Sequence, residues 1–115
     1  MKSFESTSLM KNEREAIKAA VRIIRSQFSI DKAILFGSKA RGDYDKHSDI
    51  DLLLISSTSL NWKNEKAIVG ALFDIGMEYD VIFSPLFVSV DEWENGIFTE
   101  FPVYQEISRD GAVVL

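Results

Sequence analysis

Four consecutive apolar residues, Leu52-Leu53-Leu54-Ile55, stand directly behind a pair of aspartates, Asp49 and Asp51. Side chains alternate across a strand, so an unbroken apolar run is buried on both faces. A chain holding such a strand, here read as Asp49 to Ile55, must cover it from two sides. The same alternation sends Asp49 and Asp51, two residues apart, out of one face at the strand's head.

The rest of the chain supplies the cover. Ile17, Ala20, Val21, Ile24 and Phe28 recur at helical spacing and predict an amphipathic helix from Asn12. Asn12 is read as its cap, with Glu15 three residues on. Ala33 to Phe36 is a short apolar run ended by Gly37, a second buried strand. A second helix is predicted from about Trp62, with Ile68, Ala71, Leu72 and Ile75 on one face and Gly76 as its stop. Tyr79 to Phe83 is read as a third strand closed by Pro85, and Asp91 to Asn95 as a short helix with Ser89 or Asp91 at its start. Pro102 opens a last helix that runs to about Asp110 and ends at Gly111, before an edge strand at Ala112 to Leu115. Met1 to Met10 is read as a loose lead-in and Ser56 to Ser59 as a polar loop. This order predicts an α+β fold, a small mixed sheet packed with helices, forming a single domain over residues 1–115.

Composition narrows the partners. With 115 residues and an apolar fraction of 46 %, the chain can build one core. It has little mass left to grip a large substrate, so a partner or a second copy is expected to hold it, as a homo- or hetero-oligomer. Lys and Arg number 13 against 18 Asp and Glu, a net charge of −5. Such a chain is a poor binder of DNA or RNA, whose affinity comes from phosphate neutralisation, so no direct nucleic-acid contact is expected. The absence of cysteine excludes disulfides and Cys-based zinc sites. No signal-like or membrane-length apolar run is present, which predicts a cytoplasmic protein without a membrane partner.

The candidate chemistry lies in residues 37 to 51, plus Asp80. Two carboxylates as close as Asp49 and Asp51 repel unless a cation sits between them, and Mg²⁺ suits hard oxygen ligands. Taken alone, Asp-x-Asp is more often an ordinary solvated strand end. Gly37 and Ser38 follow directly on a strand, where a sharp turn can present backbone N–H groups to an anion. Alone, they are also an ordinary strand-to-helix turn. Together, a phosphate cradle ending one strand and a carboxylate pair heading the next meet at one sheet edge, as a metal-bound triphosphate requires. Asp80, at the start of the third strand, is expected to add a third carboxylate that ligates the same metal or accepts a proton; its alternative is a backbone contact at a strand entry.

Gly37-Ser38-Lys39-Ala40-Arg41-Gly42 followed by Ser48-Asp49-Ile50-Asp51-Leu52 strongly resembles the signature of the minimal nucleotidyltransferase (MNT) family of the DNA polymerase β superfamily. The resemblance extends to the leading helix, Asp80 and the tail from Val103 to Gly111. It implies a polymerase β-like fold and transfer of a nucleoside monophosphate, AMP from ATP, with two Mg²⁺ ions as cofactors. It further implies that Gly37 and Ser38 hold the β- and γ-phosphates, that Asp49 and Asp51 share the metals, and that Asp80 is the third acidic ligand beside the acceptor hydroxyl. Arg41 matches the family's Ala-Arg-Gly segment and would touch phosphate, order the loop or face a partner. The same resemblance implies an antitoxin of a HEPN–MNT toxin–antitoxin pair, which adenylylates a tyrosine of its HEPN ribonuclease toxin.

Three other functions stay open at this point: transfer to a small molecule such as an aminoglycoside, a non-catalytic antitoxin that blocks its toxin by binding, and a nucleotide-sensing regulatory domain that binds ATP without releasing pyrophosphate. Phe73, Trp93, Phe98, Phe101 and Tyr104 are candidates for a partner surface, although each taken singly fits the core or its edge. His47 is read as a loop residue. Lys39 and Lys46 are read either as phosphate attractors or as solvated loop charges.

Overall fold

The computed structural model describes residues 1–45, 47–57 and 59–115. Its sheet has five strands: β1 (Lys2–Ser3), β2 (Lys32–Phe36), β3 (Ile50–Ser56), β4 (Phe83–Ser89) and β5 (Ala112–Val113). Their order is β1-β5-β2-β3-β4, with β2–β3 antiparallel and β3–β4 parallel. The helices are α1 (Lys11–Gln27), α2 (Ser38–Arg41), α3 (Trp62–Tyr79), α4 (Val90–Glu94) and α5 (Pro102–Asp110). Mixed strand directions with helices on both faces make the expected α+β architecture.

β3 is enclosed on both sides. Leu52 and Leu54 join Ala33 and Leu35 in a core completed by Ile17, Ala20 and Ile24 of α1 and Ile68, Leu72 and Ile75 of α3. Leu53 and Ile55 join Ile34 and Val88 in a second core capped by Phe98 and by Ile107 of α5. Of the apolar positions expected to face inward, Ile17, Ala20, Ile24, Ile68, Leu72 and Ile75 are buried, Val21 and Phe28 are partly buried against the same core, and Ala71 is half-buried at the margin of its helix; the run 52–55 has one core on each face.

Several boundaries differ from the sequence reading, each for a physical reason. Asn12 does not cap α1; Met10 precedes the helix, and its amide donates to the Glu13 carboxylate at 2.9 Å. Asn12 instead reaches across to the carbonyl of Tyr79 at 2.9 Å. The first ten residues are not loose. Lys2–Ser3 pairs in parallel with β5, and the Arg14 guanidinium lies 4.7 Å from the centre of the Phe4 ring. β5 is thus interior and β1 takes the edge. Ser56 ends β3 rather than opening the loop, and Thr58 lies outside the described residues.

The largest difference is at α3. Gly76 does not stop it; the helix continues to Tyr79, and Asp80 caps it in the left-handed region at φ 59°, ψ 50°. The amides of Asp80 and Val81 both donate to the Gly76 carbonyl. This folds the chain back so tightly that a Cβ on Gly76 would stand 2.5 Å from the Val81 carbonyl oxygen. Gly76 is therefore needed for close approach, not for termination. β4 consequently starts at Phe83 and runs through Pro85 instead of ending before it. An edge strand bonds on one side only, which is where proline is tolerated.

Replacing Gly76 by Ala would force that backbone apart. The expected cost is about 1–3 kcal/mol, read as a lower denaturation midpoint at unchanged slope.

Candidate functional site

β2 delivers the chain to Gly37, whose φ of 74° lies in the region that favours glycine. Gly37 is also closed in by Asp51: a Cβ here would collide with the carboxylate oxygen Oδ2. The phosphate-turn candidate and the carboxylate candidate are thus one construction, with the Gly37 backbone packed against Asp51. Ser38 begins α2, and the first helical bonds run from the amides of Ala40 and Arg41 to the Gly37 carbonyl. The preceding amides have no place in that ladder.

Asp51 lies in β3 opposite Phe36 of β2, and Asp49 stands one residue before the strand. Asp49 acts on the carboxylate of Asp51. Burial raises the Asp51 pKa above the ordinary carboxylate value, and Asp49 and then Glu106 raise it further, while Arg41 opposes them. Asp51 shares its side of the sheet with Leu53 and Ile55, the side covered by α5. This explains why Glu106 reaches it.

Glu106 was not singled out from sequence. Its carboxylate accepts from Arg41 Nη1 at 2.5 Å, joining α2 to α5. Arg41 also pairs with Asp43 at 3.2 Å. Asp43 and then Glu106 hold the guanidinium more firmly in its charged form. Arg41 is therefore a fixed cation facing the carboxylate pair. Glu106 occurs in the predicted helix pattern as one more solvated charge, and only the packing of α5 shows its neighbours.

Lys39 behaves differently from either sequence reading. It neither attracts phosphate nor faces solvent. Its side chain is 1 % exposed and donates to Glu13 of α1, itself 2 % exposed. The Tyr44 ring centre lies 3.8 Å from the ammonium, and the Asp45 carbonyl accepts from it at 3.3 Å. Tyr44 in turn donates to the Ser8 carbonyl at 2.5 Å. The turn carrying Ser38 is thereby clamped to α1 through a buried ion pair. Lys46 lies outside the described residues.

Asp80 stands apart from the other two carboxylates. It is the exposed cap of α3, three residues before β4, and not the head of that strand. The β4 residue registered beside Asp51 is Ser84. Among the described residues, no three acidic or histidine side chains gather closely enough to hold a metal. Asp80 instead lines a cavity of about 570 Å³ together with Met10, Glu13, His47, Ser48 and Met77. His47 is part of this wall, and its amide donates to Asp45. The cavity lies on the α1–α3 side of the strand end, opposite the side that Asp51 shares with α5, and Ser48 in its wall precedes Asp49 in the chain.

Asp49 and Asp51 still fit a cation. Mg²⁺ is commonly held by one or two carboxylates and completes its shell from substrate phosphates and water.

Residues 18–109 match the family described as Polymerase beta, Nucleotidyltransferase. Two curated proteins of Methanocaldococcus jannaschii are similar. "Putative protein adenylyltransferase MJ0141" is 36 % identical over 73 residues, 57 % of this chain and 74 % of that protein. "Putative protein adenylyltransferase MJ0604" is 30 % identical over 105 residues, 90 % of this chain and 98 % of that protein. The fold also matches a crystal structure of a toxin–antitoxin with AMP-PNP, at 17 % identity and a TM-score of 0.59, covering 86 % of this chain and 72 % of that one. A variant of the MntA-HpeT toxin–antitoxin matches at 17 % identity and a TM-score of 0.56, covering 94 % and 73 %. At these identities the structural likeness establishes the fold.

Two measurements probe the site. Lys39→Met leaves Glu13 buried without its partner and should cost about 3–5 kcal/mol, whereas Lys39→Met with Glu13→Leu should recover most of that loss in chemical denaturation. Asp51 carries a raised folded pKa, so its charge opposes folding above that pKa and not below the unfolded value. Asp51→Asn should therefore stabilise the metal-free chain at neutral pH, with the gain fading as the pH falls through the carboxylate range.

Proposed function

This chain belongs to the polymerase beta family of nucleotidyltransferases, and from that premise we propose that it transfers AMP from ATP to a tyrosine hydroxyl of a HEPN-family toxin, acting as its antitoxin. One observation carries the catalytic reading: the carboxylate of Asp51, coupled to Asp49, is packed against the backbone of Gly37. This adjacency supports a metal-bound phosphate at the junction of the two elements. The naming of two relatives as protein adenylyltransferases supports a protein acceptor. The likeness of the fold to antitoxin complexes supports a toxin as that acceptor.

Asp49 and Asp51 would hold Mg²⁺. Bound there, Mg²⁺ neutralises phosphate charge and favours the ionised form of an oxygen it ligates. The chain's own residues do the rest. Gly37 and Ser38 seat the terminal phosphates, and Arg41, fixed by Glu106, offers positive charge beside them. The tyrosine oxygen bonds to the α-phosphorus as the bond to pyrophosphate breaks. The cavity between Ser48 and Asp80 receives the acceptor ring, and Asp80 takes the hydroxyl proton. Its location on the acceptor side agrees with a role as base better than with one as a shared metal ligand.

A binding-only antitoxin is the second reading, favoured by the separation of Asp80 from the other carboxylates. Incubation with labelled ATP, Mg²⁺ and the purified toxin distinguishes the two. Label on the toxin is expected. Asp49→Asn should lower transfer by on the order of 10³-fold, and Asp80→Asn by roughly 10²-fold with unchanged nucleotide affinity. Full toxin neutralisation by an Asp49→Asn, Asp51→Asn, Asp80→Asn chain would establish occlusion instead. Transfer by Asp80→Asn at the original rate would remove Asp80 from the reaction.

A further inference from the structure

α3 buries one face, Ile68, Leu72 and Ile75, and exposes an opposite face that none of the described residues covers. On that outer face Trp62 is 69 % exposed, Phe73 66 % and Met77 72 %. A whole aromatic side chain presents about 150–250 Å², so these three leave on the order of 300–400 Å² of apolar surface in water. A patch of that size matches the largest that monomeric domains commonly show, and such patches are often functional.

Gly70 stands at the centre of this helix. It is exposed, and a Cβ there would meet nothing within 4 Å. Gly in an exposed helix interior costs roughly 1 kcal/mol relative to Ala. Among the described residues no close approach requires it. A missing side chain at the middle of an apolar face lets a second helix approach closely.

The charges on the same face identify that helix. Exposed Lys63 and Lys66 lie on the N-terminal side of Gly70, and exposed Asp74 and Glu78 on the C-terminal side. Set antiparallel to itself about Gly70, the face is its own complement. At 100° per residue, Lys63, Gly70 and Met77 form the centre line. Trp62, Lys66 and Phe73 fall on one flank, where Lys66 of each copy lies over Phe73 of the other, and Asp74 and Glu78 fall on the other flank. In the antiparallel pair Trp62 of each copy packs on Met77 and Phe73 of the other. On the opposite flank, Lys63 of each copy reaches Asp74 and Glu78 of the other. A parallel twofold pair would instead set Lys63 on Lys63 and the acidic flank of each copy on the aromatic flank of the other.

We propose that this protein forms a twofold homodimer through α3, with the helices antiparallel and crossing at Gly70. The contact is isologous, so every pairing occurs twice. Its modest area fits a micromolar association. The pair would set Trp62 of the second copy beside Met77, a wall of the cavity next to Asp80.

Sedimentation equilibrium on the purified chain, from about 1 to 200 µM, tests this without nucleotide or toxin, so its outcome is independent of the proposed transfer reaction. A reversible monomer–dimer equilibrium is expected. Gly70→Leu and Phe73→Glu should each weaken it by at least about tenfold, with unchanged circular dichroism. Lys63→Glu should weaken it similarly by placing like charges together, and Lys63→Glu combined with Asp74→Lys and Glu78→Lys should restore it. A chain that stays monomeric throughout, a dimer indifferent to Lys63→Glu, or a triple variant that fails to recover association would each overturn the proposal. So would a monomeric chain whose capture of the toxin is abolished by Phe73→Glu, since the face would then belong to another protein.

Discussion

Everything in this molecule is arranged around a strand that has no wet side. Because Leu52, Leu53, Leu54 and Ile55 alternate into two separate cores, helices must cover the sheet from above and below. Polar groups can then enter only at the strand's ends. Asp49 and Asp51 occupy one such end, where their charges can meet a ligand without being buried beneath a helix. Asp51 nevertheless remains partly desolvated, and its pKa is raised for that reason first. The apolar run thus both builds the fold and sets the electrostatic character of the site at its head.

A second constraint holds the nucleotide-facing turn. Lys39 and Glu13, both almost wholly enclosed, join α2 to α1 through an interaction that is expensive to break but adds little when compared with a hydrophobic pair. Such a pair specifies geometry more than it adds stability. Its position immediately after Ser38 gives the turn one orientation relative to the sheet. Arg41 and Glu106 do the corresponding work on the other side of α2, at the surface, where screening makes the pairing weaker and the cation more available.

What could be read from the chain alone depended on how local each signal was. The α1 and α3 faces, β2, β3 and the Pro102 start of α5 follow from periodicity and end signals within a few residues. Gly37, Ser38, Asp49 and Asp51 were legible because their motif is contiguous and each residue type has a specific chemistry. The course of the chain after α3 was not. Gly76 is a good helix stop by local rules, but here it permits a backbone approach made by Val81, and no local pattern records that contact. Misreading it moved β4 by four residues and put Asp80 on a strand that it only precedes. Lys39 with Glu13 and Arg41 with Glu106 are separated by 26 and 65 residues, so neither pairing had a sequence signature. The Lys2–Ser3 strand escaped notice because two residues carry no periodicity.

The two margins of the sheet have a consequence for how this protein can associate. One margin is β1, only two residues long, and the other is β4, which carries Pro85 within it. A foreign strand docking on either would find too few free amides and carbonyls in sequence to zip along. Growth of the sheet from molecule to molecule, the usual hazard of an open β-edge, is thereby blunted at both sides. Assembly is left to the helical surfaces, where contacts are finite and close on themselves.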